Sequence, residues 1–141
     1  MSELLGADRL IAKCRRLASK KAGEDIVLRA VHNAAKKVVQ ADAKRLAPGN
    51  NGELRNSIKT RVKMDGDKAI GEVYTNLHYA PYVEFGTGSR GQSTNTNTEV
   101  KVNYRSDWSG NRAQPFLWPA LRENRNNSIK IIREEIRKAV K

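Results

Sequence analysis

An alternating stretch between residues 54 and 64 constrains the fold more than any other feature of this chain. Apolar and small polar residues fill its even positions, and basic residues or serine fill its odd positions. A period of two over this length is typical of a strand that rests one face on a core. The hairpin signal Asp65-Gly66 follows at once, so we predict a return strand over residues 68–75. A third extended segment at residues 79–85 would widen the sheet.

Helical spacing of apolar residues flanks these strands on both sides. Residues 3–21 and 24–46 predict two N-terminal helices, and residues 118–140 predict a C-terminal helix. Residues 87–111 are polar and without pattern, which favours a long mobile loop. This order predicts an α+β domain, in which an antiparallel sheet of three to four strands packs on two N-terminal helices and one C-terminal helix. A length of 141 residues fits a single domain over residues 1–141.

The first predicted helix carries a narrow apolar stripe in an otherwise polar and basic segment. Cys14, the only cysteine of the chain, lies on this stripe, where a buried and inert thiol is the common case. A single cysteine excludes an intramolecular disulfide, which suits a reducing cytoplasm. The stripe consists of Leu4, Ala7, Ile11, Cys14 and Leu17 or Ala18.

Positive charge is concentrated toward the two ends of the chain. Lys and Arg number 27 against 15 Asp and Glu, with a net charge of +6 in residues 1–50, +1 in 51–110 and +5 in 111–141. The excess favours an anionic partner, either nucleic acid or an acidic protein face, although a solvated basic surface has the same composition. No apolar run approaches the roughly 20 residues of a membrane span, and the N-terminus does not resemble a signal peptide. We therefore expect no membrane association and assembly in the cytoplasm.

Residues that often carry chemistry are few and scattered. The stretch Gly86-Thr-Gly-Ser-Arg-Gly91 has the letters of a dinucleotide-binding pattern, but a polar tract follows where that pattern requires a helix. His32 and His78 have no cysteine or acidic neighbour at a metal-ligand spacing. Glu84 lies among apolar residues and is either the acid of a small hydrolase or a structural or interface group. Because no second catalytic residue accompanies it, we predict no enzyme, no metal, no cofactor and no small-molecule substrate.

A basic ladder would line one face of the first predicted strand. Such a ladder can follow a phosphate backbone, so a nucleic-acid-binding module is the alternative function. The other interpretation is a solvent-facing strand side, since this face has no aromatic residues for base stacking. The possible anion-binding or DNA-facing residues are Arg55, Lys59, Arg61 and Lys63.

Two short stretches stand out in the second half of the chain: Tyr79-Ala-Pro-Tyr-Val-Glu-Phe-Gly-Thr-Gly88 and Gln114-Pro-Phe-Leu-Trp-Pro-Ala-Leu121. Together with Ala47-Pro48 and Gly52-Glu-Leu-Arg-Asn-Ser-Ile58, they resemble the tail-component or tail-completion proteins of long-tailed bacteriophages and prophages such as Hong Kong 97. The similarity extends over nearly the whole chain and is weakest in residues 87–111.

The resemblance implies a structural virion-assembly protein that acts in tail completion or head–tail joining, without enzymatic activity or cofactor. It implies a ring subunit at the head–tail junction or the head-proximal end of the tail. The expected partners are copies of itself, head-connector or tail-tube proteins, and packaged DNA by proximity. Closed rings need a heterologous interface, and aromatic residues dominate interface hot spots. The candidate interface residues are Tyr79, Tyr82, Glu84, Phe85, Trp108, Phe116 and Trp118, of which Phe116 and Trp118 have core anchoring as the alternative role.

Overall fold

A computed structural model describes residues 20–49 and 52–140. The first predicted helix, over residues 3–21, lies almost entirely outside the described residues. The elements in chain order are α1 (Lys20–Ala34), a π-helical segment (Ala35–Gln40), α2 (Ala41–Leu46), α3 (Glu53–Ser57), β1 (Lys59–Asp65), β2 (Lys68–Tyr74), α4 (Ala80–Phe85), α5 (Gly88–Thr94), α6 (Leu117–Glu123) and α7 (Arg125–Val140).

The first three elements form one continuous rod, the long helix, over residues 20–46. Its backbone stays in the right-handed helical region at both ends of the π-helical segment. The helix predicted over residues 24–46 is therefore confirmed. Among the described residues it extends back to Lys20, with Gly23 inside it. Ala47 takes an extended conformation with ψ of 123°. Pro48 follows, and a proline disfavours the helical conformation of the residue before it because their atoms clash. The long helix therefore ends at this position.

The predicted hairpin is present and rests on the long helix. β1 and β2 pair antiparallel, in a register that runs from Lys59 opposite Tyr74 to Asp65 opposite Lys68. Burial alternates along all of β1, as the sequence pattern predicts. The Thr60 hydroxyl of the inner face donates a hydrogen bond to the Gln40 side-chain carbonyl, which ties the strand to the π-helical segment.

The described sheet has two strands, so the prediction of three to four strands is wrong. Residues 79–85, predicted as a third strand, form helix α4 instead. Ala80 and Glu84, one helical turn apart, are both buried, whereas Tyr82 between them is exposed. The Tyr, Val and Phe content of this segment favours a strand. A strand would bury Tyr82 together with Ala80 and Glu84, because residues two apart share a strand face, whereas a helix buries the two and leaves Tyr82 exposed. This tertiary demand prevails.

The start of the alternating stretch is also helical. Residues 53–57 form α3 and do not extend β1. Leu54 and Ile58 are 3% and 1% exposed, so both enter the core from one side of this turn. Arg55 consequently lies on a helix and not on the basic strand face predicted for it.

The segment predicted as a loop, residues 87–111, contains regular structure. It begins with helix α5, and its two ends are joined by backbone hydrogen bonds. The amide of Thr87 donates to the carbonyl of Asn111 at 2.9 Å, and the amide of Asn111 donates back at 3.1 Å. The mobility of the remainder stays a prediction.

The core is built largely from small side chains that let helices approach closely. Phe116 and Ile58 are its largest fully buried side chains. Four alanines from α2, the turn after it, α4 and α6 surround them. The full cluster is Val39, Ala43, Ala47, Leu54, Ile58, Ala80, Phe116 and Ala120.

The predicted C-terminal helix is divided into α6 and α7 at Asn124, whose backbone leaves the regular helical geometry. The Asn124 side-chain amide donates to the Ala120 carbonyl at 2.8 Å and to the Asp42 carboxylate at 2.9 Å. Helix α7 then packs along α1 and buries Ile136. The break therefore fixes the angle at which the chain returns to the long helix.

Gly71 of β2 marks the closest approach of the sheet to the long helix. A Cβ atom at this position would lie 2.7 Å from Cγ1 of Val31. We expect Gly71→Ala to lower the free energy of unfolding by about 1–3 kcal/mol through overpacking, as measured by urea denaturation. Val31→Ala should recover part of this loss in the double variant. Strictly additive effects of the two substitutions would contradict the close contact.

The Asp42 contacts predict a pH dependence of stability. A side-chain hydrogen bond from Arg45, with another from Asn124, holds the pKa of Asp42 below its ordinary value of 3.8. A folded-state pKa below the unfolded one adds stability above pH 3.8, and this stability is lost as the pH falls through the lowered value. The stability difference between the wild type and Asp42→Asn should therefore be full at pH 7 and shrink near about pH 3.

Asp67→Asn, in the exposed hairpin turn, is the matched control for the loss of one carboxylate. Equal stability differences for Asp42→Asn at both pH values, measured by urea denaturation, would contradict the assignment.

Candidate functional site

The side chain of Glu84 is the buried polar centre of the region that the sequence motifs mark. It is 6% exposed and lies on the inner face of α4. One carboxylate oxygen accepts hydrogen bonds from the amides of Phe116 at 2.8 Å and Leu117 at 3.0 Å. The other oxygen accepts from the amide of Trp118 at 2.9 Å. Glu84 therefore caps the first turn of α6, whose amides have no partner within the helix.

This cap joins the two motifs into one unit. The carbonyl of Val83 also accepts the amide of Gln114 at 2.8 Å, which extends the connection by one backbone bond. Phe116, held at the start of α6, is fully buried in the core, so its predicted alternative role as a core anchor is confirmed. Sequence reasoning singled out both stretches but had no signal that Glu84 would bind the second one.

The Gly-Thr-Gly part of the first motif packs against the backbone of residues 108–111. Gly88 has a φ of +63°, and a Cβ there would lie 2.5 Å from the carbonyl oxygen of Trp108. The amide of Ser89 donates to that same oxygen at 2.9 Å. The Tyr104 hydroxyl donates to the Phe85 carbonyl at 2.8 Å. The glycines thus permit close backbone packing. Helix α5 follows them, so the expectation that no helix follows this pattern is wrong. The element before them is helix α4 and not the strand that a dinucleotide-binding pattern requires.

The predicted interface residues divide by exposure. Tyr82 and Trp108 are 61% and 50% exposed and are available for a partner. Tyr79, Phe85 and Trp118 are half-buried, whereas Glu84 and Phe116 lie in the interior. Partial desolvation, with a contribution from Glu53, raises the pKa of the Tyr79 hydroxyl above its ordinary value. The interface role of these residues stays a prediction.

An apolar groove, which sequence reasoning did not reveal, lies beside the Glu84 cap. It has a volume of about 610 Å³ and runs between the π-helical segment, the end of β2, α4 and α6. The indole N–H of Trp118, one of the groove residues, is buried and has no acceptor among the described residues. The main apolar side chains that line the groove are Ala35, Val39, Leu77, Phe85, Leu117 and Leu121.

The predicted basic ladder is shorter and less charged than the sequence indicates. Lys59, Arg61 and Lys63 lie on the exposed face of β1. Glu72 on β2 lies 2.5 Å from Arg61 and 3.8 Å from Lys63, measured between the charged atoms. Arg61 also lies over the ring of Tyr74 at 4.4 Å. Two of these cations thus share an acidic neighbour, and their DNA-facing role stays a prediction.

Both carboxylate oxygens of Glu84 accept backbone amides, which is the arrangement of a structural cap. Within residues 20–49 and 52–140, no group of three or more His, Cys, Asp or Glu side chains could hold a metal ion. No helix in this same part of the chain has the length and apolar character needed to cross a membrane.

A family model described as "Bacteriophage HK97-gp10, putative tail-component" matches residues 8–86, which is more than half of the chain. The chain belongs to this family. The resemblance inferred from the motifs is therefore confirmed. No curated protein and no solved structure matches the chain. The match to the tail-component family covers the long helix, the hairpin and α4 with Glu84, whereas the amides that Glu84 binds lie beyond it.

The cap predicts a specific cost for Glu84→Gln. The remaining carbonyl oxygen can still accept two amides, but the new NH₂ group would face the amide of Trp118. Leaving this buried donor unpaired should lower the free energy of unfolding by about 1–3 kcal/mol, measured by urea denaturation. Glu134→Gln, which changes an exposed glutamate of α7, is the control. Equal stability of Glu84→Gln and wild type would show that the cap contributes nothing.

Proposed function

We propose that this protein is a structural virion-assembly protein of a tailed phage, which acts in tail completion or head–tail joining as the subunit of a ring. The observation that carries the proposal is its membership of the tail-component family over residues 8–86. Membership of the family supports a phage tail component. The position in the virion and the assembly into a ring are the parts that we propose.

The arrangement around Glu84 supports a role in assembly. The cap gives α4 and α6 a defined relative position, and it leaves Tyr82 on α4 exposed. Trp108 is exposed on the segment whose carbonyl binds Ser89. Tyrosine and tryptophan are enriched among the residues that contribute most to binding at interface centres. We infer that Tyr82 and Trp108 bind neighbouring subunits.

A ring requires that one surface of a subunit meets a different surface of the next. Tyr82 on a helix and Trp108 on an irregular segment offer two such chemically distinct surfaces. The positive ends of the chain, with net charges of +6 in residues 1–50 and +5 in 111–141, would then bind an acidic neighbour or lie near packaged DNA.

Interruption of the reading frame in the parent phage or prophage tests the function directly. Negative-stain electron microscopy of the induced lysate should show separate filled heads and tails if the protein joins them. Tails of abnormal length would indicate a role in tail completion. Intact infectious particles would overturn the proposal.

The proposed contacts predict that Tyr82→Ala and Trp108→Ala fold normally but fail to complement the interrupted gene. Truncation of an aromatic hot spot costs about 2 kcal/mol or more at an interface, so infectious titre should fall at least about tenfold. Circular dichroism checks the fold, and Ile129→Ala, at an exposed apolar position on α7, is the control. Full complementation by both aromatic variants would refute their interface assignment.

A further inference from the structure

Residues 99–105 have the sequence pattern of a strand but belong to no sheet of the described residues. Valine and tyrosine fill the even positions of this segment, and charged or amide side chains fill the odd positions. The structure keeps the period of two over residues 101–105, where the even positions are half-buried and the odd positions are exposed. A segment that alternates in this way rests one face on the protein, as a strand does.

The backbone of this segment makes none of the hydrogen bonds of a strand. In the part of the chain that the structure describes, no amide of residues 100–107 donates a hydrogen bond and no carbonyl of these residues accepts one. The segment is nevertheless held to the domain, because the Tyr104 hydroxyl donates to the Phe85 carbonyl at 2.8 Å. A positioned strand with an unpaired edge is a template for a second strand.

The sequence of the segment is complementary to itself. In an antiparallel pairing of two copies about a two-fold axis at Val102, opposite charges meet at both ends and apolar residues meet in between, while no two like charges are opposed. Opposite-charge and apolar cross-strand pairs both stabilise an antiparallel sheet. The opposed residues are Glu99 with Arg105, Val100 with Tyr104, Lys101 with Asn103, and Val102 with Val102.

The charged groups of this pairing lie at the surface. Glu99 is exposed and has no ion pair among the described residues. The Arg105 side chain is 72% exposed, and its Nε and Nη2 atoms donate to the carboxylate of Asp107. A guanidinium group has further N–H donors, so Nη1 of Arg105 is left for Glu99 of the second copy.

The strand β1 is a poorer partner for the segment than a second copy of the segment itself. When residues 99–105 are aligned with the whole of β1 in either direction, Lys101 lies directly opposite one of the exposed cations of that strand. Like charges directly opposite each other destabilise a strand pair. The exposed cations of β1 are Lys59, Arg61 and Lys63.

We propose that residues 99–105 of two copies of this protein pair as antiparallel strands about a two-fold axis at Val102 and so form a dimer. Both copies use the same segment, so the contact closes on itself and adds nothing to a ring of heterologous contacts. Failure of this proposal therefore leaves the proposed function untouched. Because one short segment on each copy takes part, the interface is small, and we expect a dissociation constant on the order of 100 μM.

Exchange of charges in the full-length protein tests the pairing. Glu99→Arg and Arg105→Glu each place like charges opposite each other, so each variant alone should raise the dissociation constant of the dimer at least about fivefold. A mixture of the two variants restores opposite charges at both ends and should dimerise like the wild type. Sedimentation equilibrium from about 10 μM to 1 mM covers the expected range.

Glu134→Arg, at an exposed position of α7, is the matched control and should leave the dissociation constant unchanged. A wild type that stays monomeric over the whole range would overturn the proposal. Association that both charge variants leave unchanged, or that the mixture does not recover, would show that another surface joins the copies and would also overturn it.

Disulfide formation between single-cysteine variants tests the register. Lys101→Cys and Asn103→Cys, both at exposed positions, are made in a Cys14→Ser background and oxidised as an equal mixture. Residues 101 and 103 are opposed in the pairing and within disulfide reach, whereas two residues 101 are too far apart. The mixed disulfide should exceed the dimer of either single variant at least about tenfold. The proportions of random collision would overturn the register.

Discussion

The rest of the structure depends on three backbone amides that bind the carboxylate of Glu84. A buried carboxylate is stable only when hydrogen-bond donors surround it, and the first turn of α6 needs an acceptor that the helix cannot supply. The carboxylate of Glu84 and the first turn of α6 therefore require each other. Helix α6 has seven residues, too few to be stable alone, so its position depends on the cap and on the burial of Phe116. This interaction spans more than thirty residues of sequence.

The cap connects the part of the chain that matches the tail-component family with the part that follows it. Glu84 lies two residues before the end of the matched region, and its partners lie in the motif that opens α6. Two surfaces lie next to the Glu84 cap: the exposed side of α4 and the apolar groove. Tyr82 projects from the helix that carries Glu84, and the apolar groove lies between that helix and α6. A change that breaks the cap would thus alter both surfaces at once.

Charge is organised differently in the folded protein than along the sequence. The middle of the chain is nearly neutral, and the hairpin pairs Arg61 and Lys63 with Glu72 across the strands. Cross-strand pairs of this kind stabilise a two-stranded sheet modestly and reduce the positive potential of its outer face. The unbalanced positive charge lies toward the two ends of the chain, with net charges of +6 in residues 1–50 and +5 in 111–141.

Local patterns determined much of this fold. The long helix follows from its apolar spacing and ends before Pro48, and the β1–β2 hairpin follows from strict alternation and the Asp65-Gly66 turn. These elements are predictable because neighbouring residues alone specify them. The residues of the sequence motifs were likewise enough to indicate the family.

Only the tertiary structure decided the conformation of residues 53–57 and 79–85. Their local preferences for strand were overridden because Leu54 with Ile58, and Ala80 with Glu84, are buried while the residue midway in each pair is exposed. A helical turn allows this pattern and a strand does not. The same holds for the role of Glu84 and for the groove, because each arises where segments distant in sequence meet, and no local pattern records such a meeting.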